Sequence, residues 1–376
     1  MAIYLDIHVV QTVPYANLNR DMEGSPKSLV FGGVDRTRVS SQSWKRAIRH
    51  EVEAKLGEKA ARTRLLPAKV AEALVARHGW PTQLAAFAGG QVAESAEKAL
   101  KLEPKGETSA LLYLPDSAPV ALALLCEEFR AELEAEAAKG KKAAPVLPAD
   151  RVTAQIQGKT ATINLFGRML AEIPGSNVDG AVQIAHAFTT HESDGQRDFF
   201  TAVDDWLDPD KASGAGHMGV AEYSAGVFYR YATVNINDLL TNLGLDDSTA
   251  PELVKLFLEQ FIMSLPQAKK NSTAPHTVPD LAYAVVRDSR PVSAAAAFEK
   301  PVRRAYEGGI AEPSINALTA YIKKIDTLIG TDAKRFDGYA ATAEKALEPL
   351  GTCYPSFSEL AQSATDTALH AARAGS

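Results

Sequence analysis

Lys45, Arg46 and Arg49 fall in the first turns of a helix expected from Ser41 to Leu56, within the stretch RTRVSSQSWKRAIR. A helix start already carries partial positive charge, so basic side chains are disfavoured there unless an anion arrives from outside. Unpaired backbone N–H groups at such a start bind phosphate directly. The hydroxyls of Ser40 and Ser41 and the amide of Gln42 add donors around the same point. Lys45 and Arg49 are four residues apart and share a face, where they can grip one phosphate or two successive ones. The bland counterpart is a solvated basic helix end paired with surface carboxylates. From Asn19 to His50 the chain holds seven basic residues (Arg20, Lys27, Arg36, Arg38, Lys45, Arg46, Arg49) against three acidic ones (Asp21, Glu23, Asp35), a local net of +4. The whole chain carries −6, which argues against coating nucleic acid by bulk charge. Any such contact must be local.

Other chemistries find little support. Cys126 and Cys353 are the two cysteines, far apart and in no zinc-type spacing, which fits a reducing cytoplasm. His186 and His191 with Asp204, Asp205, Asp208 and His217 suggest a metal site only loosely. No HExxH or paired CxxC occurs, and a satisfied or solvated set is the expectation. There is no GxSxG elbow, Walker A loop or dinucleotide fingerprint, so neither catalysis nor a cofactor is expected. The N-terminus MAIYLDIHVV lacks a basic leader, and no apolar run approaches the length of a membrane span.

The elements that must position these groups follow from periodicity. Ile3, Leu5, Ile7 and Val9 alternate with Tyr4, Asp6 and His8, which predicts a half-buried first strand over Ile3 to Val10. A hairpin is expected around Gly32-Gly33. The helix from Ser41 follows, with Trp44, Ile48, Val52 and Leu56 recurring every four residues. From about Gly57 to Pro148 the chain becomes Ala-, Glu- and Lys-rich, a helical insertion with at most a short strand at Ser109 to Leu114. Strands return at Val182 to Thr189 and Gly226 to Ile236. A helix at Ala250 to Leu265 and a strand at Leu281 to Val286 complete the pattern, and helices at Pro313 to Ile329 and Pro355 to Ala372 are expected to cover remaining sheet surface. Without the insertion the order is strand, helix, strand, strand, helix, strand, the ferredoxin-like unit that RRM domains use. The fold class expected is α+β, with three segments: palm 1–57, helical fingers 58–177 and palm 178–376.

Between the two middle strands, residues 190–225 form a connection too long for an ordinary loop. It carries Phe199, Phe200, Val203, Trp206 and Met218 and predicts a projecting arm. Eight acidic residues against Arg197 and Lys211 make it acidic, so one copy's arm is suited to the basic window of the next copy, a head-to-tail contact. In AGVFYRYATVNI, Phe228 lies on one face and Tyr229 and Tyr231 on the other. Base stacking and core packing are both open to them, with core the more natural role.

The runs IHVVQTVPYANLNRD, FGGVDRTRVSSQSWKRAIR, FGRM, VDGAVQIAHAFTTH, FFTAVDD and YSAGVFYRY, in this order, resemble the CasC-type backbone subunits of Cascade, the type I-E CRISPR surveillance complex of the RAMP superfamily. The resemblance implies a non-catalytic subunit that lines up in several copies along a CRISPR guide RNA. It implies other Cascade subunits as partners, target DNA met through guide pairing, and an indirectly recruited nuclease-helicase. It implies guide contacts at Asn19, Arg20, Lys27, Arg38, Ser40, Ser41, Gln42, Lys45, Arg46 and Arg49. It further implies a wedge at Met169, arm contacts at Phe200, Thr201, Val203, His217 and Met218, with Phe200 and Met218 stacking at a flipped base, and a backbone contact at Lys269. Lys270 departs from the Gln or Arg usual in the family. The alternatives are a metal-dependent RNA endonuclease of the type III backbone kind, with Asp21 and Asp35 near the basic window, and a generic single-stranded RNA-binding protein.

Overall fold

The structure, a computed structural model, describes residues 2–96, 100–140, 143–170, 173–202, 206, 217–244, 248–343 and 345–375. The chain forms two compact units, one of Met1–Glu51, Val182–Leu240 and Asp246–Ser376, the other of Val52–Ala181 and Thr241–Leu245. Among the described residues the N-terminal elements are β1 (Tyr4–Ala16), β2 (Ser28–Phe31), β3 (Val34–Val39), α1 (Ser41–Leu56) and β4 (Ala60–Thr63). There follow α2 (Leu66–His78), α3 (Thr82–Glu94), β5 (Leu112–Pro115), α4 (Ala118–Glu128), α5 (Arg130–Ala137), α6 (Ala149–Gln157) and α7 (Ala161–Phe166). Next come β6 (Val182–Ile184), β7 (Ala187–Thr189), β8 (Gln196–Ala202), β9 (His217–Asn235), α8 (Ile236–Leu243), α9 (Ala250–Met263) and α10 (Lys270–Thr273). The chain ends with β10 (Leu281–Arg287), α11 (Ala311–Ile329), β11 (Lys334–Ala341), β12 (Thr352–Cys353) and α12 (Phe357–Ala374).

In the first unit the described strands make one sheet in the order β12-β11-β10-β1-β9-β7-β3-β2, with β6 and β8 also pairing with β9. Its centre, β10-β1-β9-β7, is antiparallel throughout, and with α1 and α9 it has the ferredoxin-like order expected. The β11–β12 pair is parallel, so the sheet is mixed. The alternation of β1 predicts one buried face, but both are buried. Leu5, Ile7 and Val9 share one face with Val234, Ala232 and Arg230, their partners in the register. Asp6, His8 and Val10 share the other with Tyr231, Tyr229 and Tyr283, and the Ile315, Leu318 and Ile322 stripe of α11 belongs to the same core. The rings of Phe228, Tyr229 and Tyr231 are buried, the core role expected for them, and the α11 stripe belongs to the core of Tyr229 and Tyr231.

Burial of that face sets unusual protonation. His8 sits with its ring centroid 5.1 Å from that of Tyr231 and 5.5 Å from that of Tyr283, and its pKa falls to about 3 because of burial and then the cations Arg287 and Lys334. Burial pushes Asp6 up to about 6, although its Oδ1 accepts from Tyr231 Oη (2.9 Å) and its Oδ2 from Val292 N (2.9 Å).

Gly32 and Gly33, at φ 64° and 80°, form the two-residue turn joining β2 to β3, where both central positions need positive φ. A Cβ on Gly32 would stand 1.7 Å from the Glu299 carbonyl oxygen, so no larger residue fits. The expected arm is a β-ribbon: β8 pairs with the first part of the 19-residue β9 from Gln196↔Tyr223 to Ala202↔His217.

The second unit packs α2 to α6 around Leu66, Val70, Leu74, Val92, Leu122 and Val152, with β4 and β5 paired antiparallel. Strand β5 lies close to the short strand expected, whereas β4 has no period-two signal in its sequence AART. Arg168 is buried in this unit and donates to the carbonyls of Ser176 (2.8 Å), Gly158 (2.7 Å) and Gln157 (2.8 Å).

Two stability predictions follow. Arg168→Met leaves these carbonyls, that of Ser176 fully buried, without their charged donor and is expected to cost about 3 kcal/mol, read as a lower melting temperature of the isolated protein. Asp6 has a folded pKa above its unfolded one, so its charge costs stability that grows as pH rises from about 4 to about 6. Asp6→Asn is accordingly expected to gain in melting temperature relative to wild type on going from pH 5 to pH 8, and a constant difference would contradict this.

Candidate nucleic-acid interface

The basic window folds into one edge of the first unit, and backbone bonds hold its members in series. Asn19 O accepts from Lys27 N (2.9 Å), and Lys27 O accepts from Arg38 N (2.7 Å). The side chain of Asn19 reaches further, its Oδ1 accepting from Ser40 N (2.8 Å). Ser40 is the N-cap of α1: its hydroxyl oxygen accepts from Ser43 N (3.3 Å) and its carbonyl from Trp44 N (3.2 Å). Asn19, Lys27, Arg38 and the start of α1 are thus brought together. The first turn of α1 contains no acidic residue to offset its charge.

On α1 the buried positions Trp44 and Ile48 leave Lys45, Arg46 and Arg49 directed away from the core, with Arg46 and Gln42 exposed and Ser41, Lys45 and Arg49 half-buried. Arg36 differs from its basic neighbours: it is fully buried and donates to the carbonyls of Phe31 (3.2 Å), Thr189 (2.9 Å) and Phe298 (3.1 Å). It ties the β2–β3 hairpin to the sheet and is withdrawn from any ligand. Asp21, one of the two aspartates that the endonuclease alternative notes near the basic window, uses Oδ1 to accept from Glu23 N and Ser25 N, both at 2.9 Å, and so closes the turn after Arg20.

Several residues here escape sequence reasoning. Arg38 Nη1 donates to His186 Nδ1 (2.9 Å), and burial followed by the charges of Arg38 and Lys27 lowers the His186 pKa, which keeps the ring neutral and able to accept. Asn17 is buried and donates through Nδ2 to Gly24 O (2.9 Å) and Glu222 O (2.8 Å), joining β1, the Arg20 turn and the arm strand. His191 spends both ring nitrogens on backbone, bonding Glu192 O through Nδ1 and accepting from Val227 N through Nε2 (3.1 Å). Of the loosely suggested metal set, His186 bonds Arg38 and His191 bonds backbone, while Asp204, Asp205, Asp208 and the His217 side chain lie outside the described residues. A His beside a basic cluster and an Asn after a strand give no one-dimensional signal, because their partners are distant in sequence.

A cleft of about 370 Å³ at the root of the arm is lined by Arg20, Arg197, Phe200, Glu222 and Lys269, among others. Lys269 is held at φ 56°, a left-handed conformation that a non-glycine residue adopts at a cost, and its carbonyl accepts from Ser272 N (3.1 Å) and Thr273 N (3.2 Å). Along the ribbon Phe200 pairs with Gly219, and Thr201 with Met218. Strand alternation then puts Phe200 and Met218 on opposite faces, so they do not form one stacking platform. The Phe200 ring lies across Gly219, where an added Cβ would meet Cζ at 2.5 Å. Met218 shares its face with exposed Phe199 and Val220, two positions absent from the expected contacts. Val203 lies outside the described residues, and His217 is described by its backbone alone, opposite Ala202. Met169 belongs to the second unit and is almost fully exposed beside the buried Arg168.

Among the described residues no helix is long and apolar enough to cross a membrane. No curated protein sequence gives a match. Among solved structures, the chain is similar to a chain of a "CRISPR RNA-guided surveillance complex, pre-nicking", at 44% identity and a TM-score of 0.91, covering 97% of this chain and 100% of that one. It is also similar to a chain of a "CRISPR RNA-guided surveillance complex", at 39% identity and a TM-score of 0.80, covering 96% and 99%. The family described as CT1975-like protein matches residues 5–362, and the chain belongs to that family.

Proposed function

We propose that this protein is a guide-RNA-binding backbone subunit of a CRISPR surveillance complex and takes no catalytic part itself. The observation that carries the reading is the linked edge of Asn19, Lys27, Arg38 and the start of α1, whose first turn holds no acidic residue, a set of fixed donors and cations suited to successive phosphates. In this reading the first unit is the palm, the second the inserted fingers, and the β8–β9 ribbon the thumb. Several copies follow one guide RNA, each holding its backbone, while the bases remain open to pair with target DNA. The burial of the sheet aromatics supports contact at the edge and the arm in place of the sheet face. The head-to-tail docking of acidic arm on basic edge, the flanking Cascade-type subunits, the recruited nuclease-helicase and a cytoplasmic setting belong to the same proposal.

Co-expression with a CRISPR array and the other complex subunits provides the test. The RNA that co-purifies is expected to be one discrete processed guide with protected and exposed nucleotides at even spacing. A random mixture of RNA sinks the assignment, and protection without even spacing favours the generic RNA-binding alternative. Lys45→Ala and Arg49→Ala are each expected to weaken guide retention about tenfold, the loss of one charge-assisted contact, and to reduce the salt slope by about one, with an unchanged melting temperature. Unaltered retention in both variants would refute the placement of guide phosphates on α1.

A further inference from the structure

The segment KPVRRAYEGG, residues 300–309, has no part in the edge cluster or the arm cleft, and its side chains are unlike those of an idle loop. It is anchored firmly. Val302 N donates to Thr190 O (3.0 Å) at the root of the arm, and the Glu299 carbonyl abuts Gly32 at the tip of the β2–β3 hairpin. Its far end is a closed turn: Gly308 N donates to Ala305 O (3.0 Å) and Ala305 N to Gly309 O (2.9 Å), with Gly308 and Gly309 at φ 98° and 80°. That turn projects Tyr306 wholly into solvent, just after the exposed Arg303 and Arg304. Among the described residues neither arginine is paired with a carboxylate.

We propose that this loop is a second binding site for single-stranded nucleic acid, in which Arg303 and Arg304 hold phosphates and an unpaired base stacks on Tyr306. The inference rests on the reading of the protein as an RNA-guided subunit but uses none of the residues assigned to the guide there. An aromatic ring beside arginines is the combination that takes a strand without regard to sequence, since every base has a π-face and every nucleotide a phosphate. A protein partner is less well suited to it, because the ring stands clear on a turn with no apolar surround, whereas interface anchors sit in desolvated apolar pockets. Arg303, Arg304 and Tyr306 are groups separate from Lys27, Arg38 and the start of α1, so the loop offers phosphate and base contacts of its own. The site therefore adds a contact to the strand already held or receives a different strand.

The test uses the assembled complex with its guide and a labelled (dT)20 strand that cannot pair with that guide. Arg303→Ala/Arg304→Ala and Tyr306→Ala are expected to retain the co-purifying guide while losing affinity for (dT)20 by about 5- to 100-fold, with Tyr306→Phe near wild type. Wild-type affinity in both alanine variants overturns the proposal, and loss of another subunit with (dT)20 binding intact overturns it in favour of a protein contact. Photo-crosslinking settles the source: bromodeoxyuridine in the DNA strand or bromouridine in the guide is expected to label residues 303–306, and labelling by neither overturns the site. If the wild-type complex carries no guide at all, the proposed function is what fails. The (dT)20 measurement on the full-length chain then still decides the loop.

Discussion

One buried guanidinium holds the sheet, the helix of the basic edge and the second long helix in a single arrangement. Arg230, near the centre of β9, is fully buried, and among the described residues no carboxylate pairs with it. Its charge lies over the Trp44 ring of α1 at 3.9 Å and over Phe261 at 4.9 Å. Its Nη1 donates to Gln11 Oε1 on β1 (2.6 Å) and to Ile262 O (3.1 Å), and its Nη2 to Phe261 O. Those two carbonyls end α9, where the macrodipole is negative and favours a cation. Desolvation lowers the Arg230 pKa to about 9, so the group stays charged at neutral pH and its bonds remain charge-assisted. A buried charge tolerates little displacement, and α1 is therefore held in one rotation about its axis, the rotation that turns Lys45 and Arg49 outward.

A second constraint is that both faces of the sheet are covered. In an RRM the open face receives bases, but here α11 closes it and His8 sits neutral among tyrosines. The contacts proposed for a nucleic-acid strand accordingly lie at the periphery: the hairpin and cap on one edge, the ribbon of β8 and β9, and the loops at its root. Each is braced from within, by Arg36 on three carbonyls, by Asn17 on two and by His191 across the arm strands. Positioning of a flexible polyanion needs such rigid supports, because the phosphate contacts carry register and only a fixed frame gives register meaning.

Much of the fold is legible along the chain. The strand-helix-strand-strand-helix-strand order, the Gly32-Gly33 hairpin, the helical insertion and the arm between the middle strands all follow from local period and turn chemistry, which depend on near neighbours. The basic start of α1 without an acidic residue in its first turn is legible for the same reason, since a helix dipole and the residues of one turn are local. Charge alone misleads at Arg36, which counts as basic surface in the sequence and is an internal clamp in the structure. Alternation also misleads at β1, where a polar face of Asp6 and His8 suggests solvent and proves to be core.

By itself the sequence determined the element order, the α+β class, the local positive window within an acidic chain and the resemblance to CRISPR backbone subunits, because these reside in composition, spacing and runs of adjacent residues. The tertiary structure alone decided which basic groups face outward, that Asn17 and His186 join the edge, that Phe200 and Met218 occupy opposite faces of the ribbon, and that the Tyr306 turn is clamped to the arm's root. Those outcomes depend on partners tens to hundreds of residues apart, such as Arg38 with His186 and Asn17 with Glu222. Only the closed sheet, with its register and covered faces, brings such pairs within bonding distance.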